Sequence, residues 1–176
     1  MPDGKSGVGD AEKVVLDAAF IFDMETAQIL AQLFYMPQHW LVTDFVEREL
    51  LTPNVPVLKQ LGLTVVQLDG GQTTLVSTLS RTYTLLSVPD LSCLVYAQAH
   101  GLPVVTRDNA LRDAARSEGV KTIDTSAVLV ALVDSEVVTP EEAADALQEI
   151  QDKRLNSPRQ DWANLIRRWR SRSATA

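Results

Sequence analysis

Carboxylates are the residues here whose types and spacing are suited to chemistry. Asp17 follows the apolar run Val14-Val15-Leu16, and Asp90 follows Pro89 at the head of a helical stretch. Asp108 lies just past the run Pro103-Val104-Val105-Thr106. Glu49 enters on a helical wheel, where it falls within the arc of Phe45, Val46 and Leu50, while Glu47 points away. A carboxylate on a core-facing arc is costly unless it is paired or bound to a cation. Four convergent carboxylates with no conspicuous lysine among them repel one another. Mg²⁺ or Mn²⁺, which prefer oxygen ligands, remove that repulsion. Such a cluster suits phosphodiester hydrolysis, in which one ion helps to activate water and another neutralises charge on the leaving oxygen. No side-chain nucleophile is needed. The chain has no nucleophile-elbow pattern, one cysteine (Cys93) and two histidines without ligand spacing (His39, His100). Each acidic residue also has an ordinary structural use: Asp90 and Asp108 as helix N-caps, Asp17 as a turn residue, Glu49 as a partner of Arg48 or Arg112.

The rest of the composition narrows the setting. With 176 residues, 45% of them apolar, the chain fits one compact domain with a terminal extension. A single cysteine excludes an internal disulfide framework. The polar N-terminus does not read as a signal peptide, and no run approaches ~18 apolar residues. The expectation is a soluble, cytoplasmic protein without a membrane span. Net charge is −7, with a pI near 4.8. The charge is uneven: residues 1–152 carry 9 Lys/Arg against 22 Asp/Glu, and residues 153–176 carry 7 against 1.

The carboxylates need elements to position them. Residues 1–12 read as disordered. Strands are expected at 14–16, 40–42, 63–68, 103–106 and 120–123. Helices are expected at 24–35, 44–51 (capped by Thr43 and ended by Pro53 and Pro56), 57–61, 72–86 after an Asp69-Gly70-Gly71 turn, 91–100 and 110–118. This alternation predicts an α/β fold, a parallel five-stranded sheet covered by helices on both faces, with ligands at the C-terminal ends of the strands. Helices at about 126–134 and 140–153 follow, the second opened by a Thr139/Glu142 capping box. Residues 160–170 form a basic amphipathic helix with Trp162, Leu165, Ile166 and Trp169 on one stripe.

The segments VVLDAAF, VTDFVERELL and SVPDLSCLVYAQAHGLPVVTRDNALRDAARSEGVKTIDT resemble a PIN domain, over about residues 13–135. Residues 136–176 are then a C-terminal helical extension. The resemblance implies a three-layer α/β/α fold with strand order 3-2-1-4-5, which makes strands 1 and 4 neighbours. It implies a metal-dependent endoribonuclease whose Mg²⁺ or Mn²⁺ ligands and catalytic residues are Asp17, Glu49, Asp90 and Asp108, supported by Thr106. Asp113 is an auxiliary carboxylate or a solvated helix residue. The resemblance further implies an RNA substrate, a toxin held by a protein antitoxin, and a homodimer. Departures are Ala18-Ala19-Phe20 and Asn109, at positions where relatives carry polar or acidic residues.

Two other readings stand beside this one. One is a PIN-like binding or assembly module without catalysis. The other is a phosphoacceptor receiver domain, for which Asp69 is available but the lysine expected near Ile123-Asp124-Thr125-Ser126 is missing. Arg107 and Arg112 flank the site, as phosphate contacts or as charge balance. The tail helix packs by its apolar stripe with its arginines against an acidic surface, pairs with a partner, or contacts RNA through Arg167, Arg168 and Arg170.

Overall fold

Val14, Val15 and Leu16 are all buried, as a strand covered on both faces requires. They belong to β1 (Lys13–Leu16), the centre of a parallel sheet with β2 (His39–Thr43), β3 (Thr64–Val66), β4 (Val104–Val105) and β5 (Thr122–Ile123). This computed structural model describes residue 8 and residues 12–173 apart from residue 53. Among them the sheet order is β3-β2-β1-β4-β5, so the fold is the three-layer α/β/α arrangement expected. Leu16 pairs with Val105, which sets the residues that follow β1 and β4 side by side. The Asp17 N–H donates to the Val105 carbonyl (3.4 Å) and the Thr106 N–H to that of Ile123 (2.9 Å). The chain runs outward from β1 to β3 on one side and returns to β4 on the other, so Asp17 and Asp108 straddle the point where strand order reverses.

The helices differ from expectation mainly at their ends. The first, α1, spans Ala18–Thr26 rather than 24–35, because Asp17 caps it directly. Gln28 then adopts a left-handed φ of 58°, and Leu30–Tyr35 continues as a 3₁₀ segment. The apolar spacing over 24–35 thus belongs to two pieces, the second held by the Trp40 indole donating to the Leu33 carbonyl (2.8 Å). Helix α2 covers Asp44–Glu49, and Pro56 sits in the first turn of α3 (Val55–Leu61) instead of ending α2. Helix α4 (Gly70–Leu79) takes in Gly70 and Gly71, since Asp69 is its N-cap within a capping box with Gln72. Helices α5 (Val88–His100), α6 (Asn109–Ser117), α7 (Thr125–Asp134), α8 (Pro140–Arg154) and α9 (Gln160–Ser173) complete the chain. Of the stretch 1–12, only Val8 and Glu12 are described; Val8 is buried and its carbonyl accepts from the Gln38 amide (3.2 Å). Pro53 lies outside the described residues.

The hydrophobic core continues without a break into α8 and α9. Ala143, Ala144, Leu147 and Ile150 on one helix and Trp162, Ile166 and Trp169 on the other belong to the same buried cluster as the strands. The alanines let α9 approach closely, so both tryptophans are buried. Arginines of the basic segment pair with acidic residues of the body: Arg154 with Asp23 (3.5 Å), Arg159 with Asp124 (2.8 Å) and Arg170 with Asp145 (3.3 Å). Trp162→Ala is expected to cost about 3–5 kcal/mol. Urea denaturation should show this as one cooperative transition at a lower midpoint. A separate early transition would mean that α8 and α9 unfold on their own.

Candidate functional site

The C-terminal edge of the sheet carries Asp17 after β1 and Asp108 after β4. Asp17 caps α1: its Oδ1 accepts the Phe20 N–H at 2.7 Å. Asp108 caps α6: its Oδ1 accepts the Leu111 N–H at 2.8 Å. Asp90 is not an N-cap. Ser87 holds that position, and Asp90, three residues on, closes a capping box by accepting the Ser87 N–H (3.0 Å) and hydroxyl (2.7 Å) on Oδ2. Capping occupies one oxygen of each carboxylate and leaves the other without a capping bond. The structural and functional uses of these residues are therefore compatible.

Asp17 is only 1% exposed, and its Oδ2 is buried without a hydrogen-bond partner. Burial pushes its carboxyl up to about 7, with the charges of Asp90 and Asp23 adding to the shift; the Thr106 hydroxyl and the Phe20 N–H oppose it. Thr106 is fully buried and its Oγ1 accepts the Asp108 N–H (3.0 Å), so one hydroxyl fixes the Asp108 turn beside Asp17.

Glu49 does not face the core. Helix α2 ends at Glu49 and Leu50 leaves the helical conformation, so Leu50 is buried outside the wheel and Val46 is the buried residue within the helix. Partial burial, and then the Asp90 charge, raise the Glu49 carboxyl. Glu47 is engaged with Lys59 (2.6 Å), which leaves Glu49 as the glutamate that senses the site. Neither proposed arginine partner holds Glu49: Arg48 pairs with Asp44 (2.8 Å) and Arg112 lies 3.7 Å from Asp124. Asp113 is exposed and paired with Arg116 (3.0 Å), as a solvated helix residue.

Arg107 makes a two-point contact with Asp23 (2.6 and 3.1 Å). Burial opposes its charge, but Asp23, with Asp17 and Asp108 behind it, raises its pKa. Asp23 lies in the apolar stretch Phe20-Ile21-Phe22-Asp23-Met24, and sequence reasoning passed over it although a charge there demands a partner. A second omission is the buried pair Thr43 and Ser92, whose hydroxyls lie 2.7 Å apart. Thr43 also caps α2 and Ser92 donates to the Pro89 carbonyl (2.6 Å), so the pair ties the helix of Glu49 to the first turn of α5, where Asp90 sits.

Among the described residues, no three or more His, Cys, Asp or Glu side chains are gathered as a ready metal cage. The acidic set is coupled pairwise instead, Asp17 with Asp90 and Asp90 with Glu49. A hard divalent cation fits this donor set: all donors are carboxylate oxygens, and the buried Oδ2 of Asp17 has no hydrogen-bond partner.

A family model described as a PIN domain matches residues 13–171. A solved PilT N-terminus domain protein from the hyperthermophilic archaeon Sulfolobus solfataricus P2 is similar at a TM-score of 0.46 and 10% identity, over 68% of this chain and 92% of that one. No curated protein matches.

The raised Asp17 carboxyl has a defined pH signature. The folded protein keeps a proton that the unfolded chain releases near 3.8, so without divalent ions Asp17 makes stability fall as pH rises from there to about 7. Asp17→Asn keeps an oxygen for the Phe20 N–H and removes that loss. In EDTA at pH 8 the variant should be more stable than the parent by up to about 4 kcal/mol, read by thermal denaturation. Equal or lower stability would contradict the assignment of Asp17 as an uncompensated buried charge.

Proposed function

The chain belongs to the PIN-domain family, and from that premise we propose that it is a metal-dependent endoribonuclease. It hydrolyses RNA phosphodiester bonds at the sheet edge that carries Asp17 and Asp108, with Asp90 and Glu49 coupled to it pairwise. The observation that carries this reading is the buried Oδ2 of Asp17, which has no partner and has Asp90 as its charged neighbour. Asp17, Asp90, Asp108 and Glu49 are the residues that would hold Mg²⁺ or Mn²⁺. When bound, the cation supplies charge neutralisation at the phosphate and activation of the attacking water.

The chain's own residues do the rest. Helix capping orients the three aspartates from rigid elements. Thr106 holds the Asp108 turn against β4, and the Thr43–Ser92 bond sets the Glu49 and Asp90 helices in register. Asp23 holds Arg107 beside the site as a charged group. The finer role, a toxin restrained by a protein antitoxin and acting as a homodimer, rests on family membership. A second reading, a PIN-like binding module without catalysis, is favoured by the absence of a ready metal cage among the described residues.

Cleavage of a varied RNA panel in Mn²⁺ separates the two. The parent should cleave. Asp17→Asn and Asp108→Asn, which preserve the caps, should lose about a hundredfold or more of that activity. Variants that cleave as well as the parent would overturn the assignment, and a parent that binds Mn²⁺ but cleaves nothing would favour the module.

A further inference from the structure

A groove of about 450 Å³ opens from Asp108 along the same sheet edge, away from Asp17 and toward β5. One wall is the turn that begins α6, with Arg107, Asn109 and Arg112. The other is the 155–159 connection between α8 and α9, with Asn156 and Arg159. This second wall is firmly built. The Arg159 N–H donates to the Gln151 side chain (3.0 Å), and its guanidinium reaches Asp124 (2.8 Å) and Asp161 (2.6 Å).

The charge arrangement points to a ligand. Asp124 is saturated: Oδ1 accepts from Arg159, and Oδ2 accepts from the Ser126 N–H (3.1 Å), the Ser126 hydroxyl (2.6 Å) and the Trp162 indole (3.0 Å). Arg112 approaches this carboxylate only to 3.7 Å, an ion pair beyond hydrogen-bond distance. Its guanidinium therefore lines the groove with its planar set of donors still available, the geometry that recognises a phosphate. Arg107 and Arg159 also line the groove, but their charges are taken up by Asp23 and by Asp124 and Asp161, which leaves Arg112 as the lining arginine with no hydrogen-bonded carboxylate. Asn156 and Ser157 add neutral donors and acceptors of the kind that meet a ribose hydroxyl.

We propose that this groove binds the single-stranded RNA backbone on one side of the cleaved bond, with Arg112 contacting the phosphate next to the scissile one. The proposal rests on the nuclease reading above and adds the path of the substrate. It also gives the C-terminal helices a role, since their connection builds half of the groove.

Kinetics on single-stranded oligoribonucleotides in Mn²⁺, across a range of salt, tests this. Arg112 is partly exposed and Asp124 keeps its hydrogen bonds without it, so Arg112→Ala should fold. It should raise KM about tenfold and lower the salt dependence of binding by about one charge. Arg112→Lys should recover part of the loss. Arg116→Ala, at the far end of α6, should change neither quantity. A parent that cleaves while Arg112→Ala matches it in KM and salt slope would overturn the groove and leave the nuclease reading standing. A parent that cleaves no RNA would remove both.

Discussion

One buried charge sets the terms for this molecule. Asp17 lies at the end of the central strand, nearly sealed from water, with one oxygen unsatisfied. A carboxylate in that position is expensive, and the cost persists because the surrounding structure leaves Asp17 little room to move. The β1–β4 pairing fixes its backbone, the α1 cap fixes one oxygen, and Thr106 and the Asp108 turn close the other side. The strained electrostatics at this point are what a cation would relieve.

The contrast with the neighbouring carboxylates supports this view. Among the described residues Asp23 is the other wholly buried acid, and it receives Arg107 and Arg154. Asp124, although burial alone would raise its carboxyl, is held below the usual range by Ser126, Arg159 and Trp162. The fold thus supplies hydrogen-bonded arginines where a carboxylate serves structure, whereas at Asp17 the nearby Arg107 is spent on Asp23 and Oδ2 has no hydrogen-bond partner. The same two structural carboxylates anchor the basic C-terminal segment. Three of the six arginines after residue 152 pair with acidic residues before it, Arg154 with Asp23, Arg159 with Asp124 and Arg170 with Asp145, and the inner end of that segment shapes the groove beside Asp108.

Much of this was legible in the chain. The alternating strands and helices predicted the parallel sheet, and Asp17 and Asp108 were recognisable because one directly follows an apolar strand and the other lies just past one. Thr43, Thr139 and Gly101 marked helix ends by capping chemistry that acts locally. The errors arose where local pattern yields to tertiary contact. The periodicity over 24–35 spans a break at Gln28, and the piece after it is held by a bond from Trp40 to Leu33. The Glu49 wheel assumed a helix longer than the six residues that form. Asp23 and the Thr43–Ser92 pair depend on partners 84 and 49 residues away, beyond the reach of spacing rules.

The central claim is that Asp17 waits for a cation. A crystal structure determined in Mn²⁺, with the ion located by its anomalous signal, tests it most directly. The account predicts an ion within about 2.2 Å of Asp17 Oδ2, shared with Asp90 or Asp108. A well-ordered structure in saturating Mn²⁺ with no ion at Asp17 would contradict it.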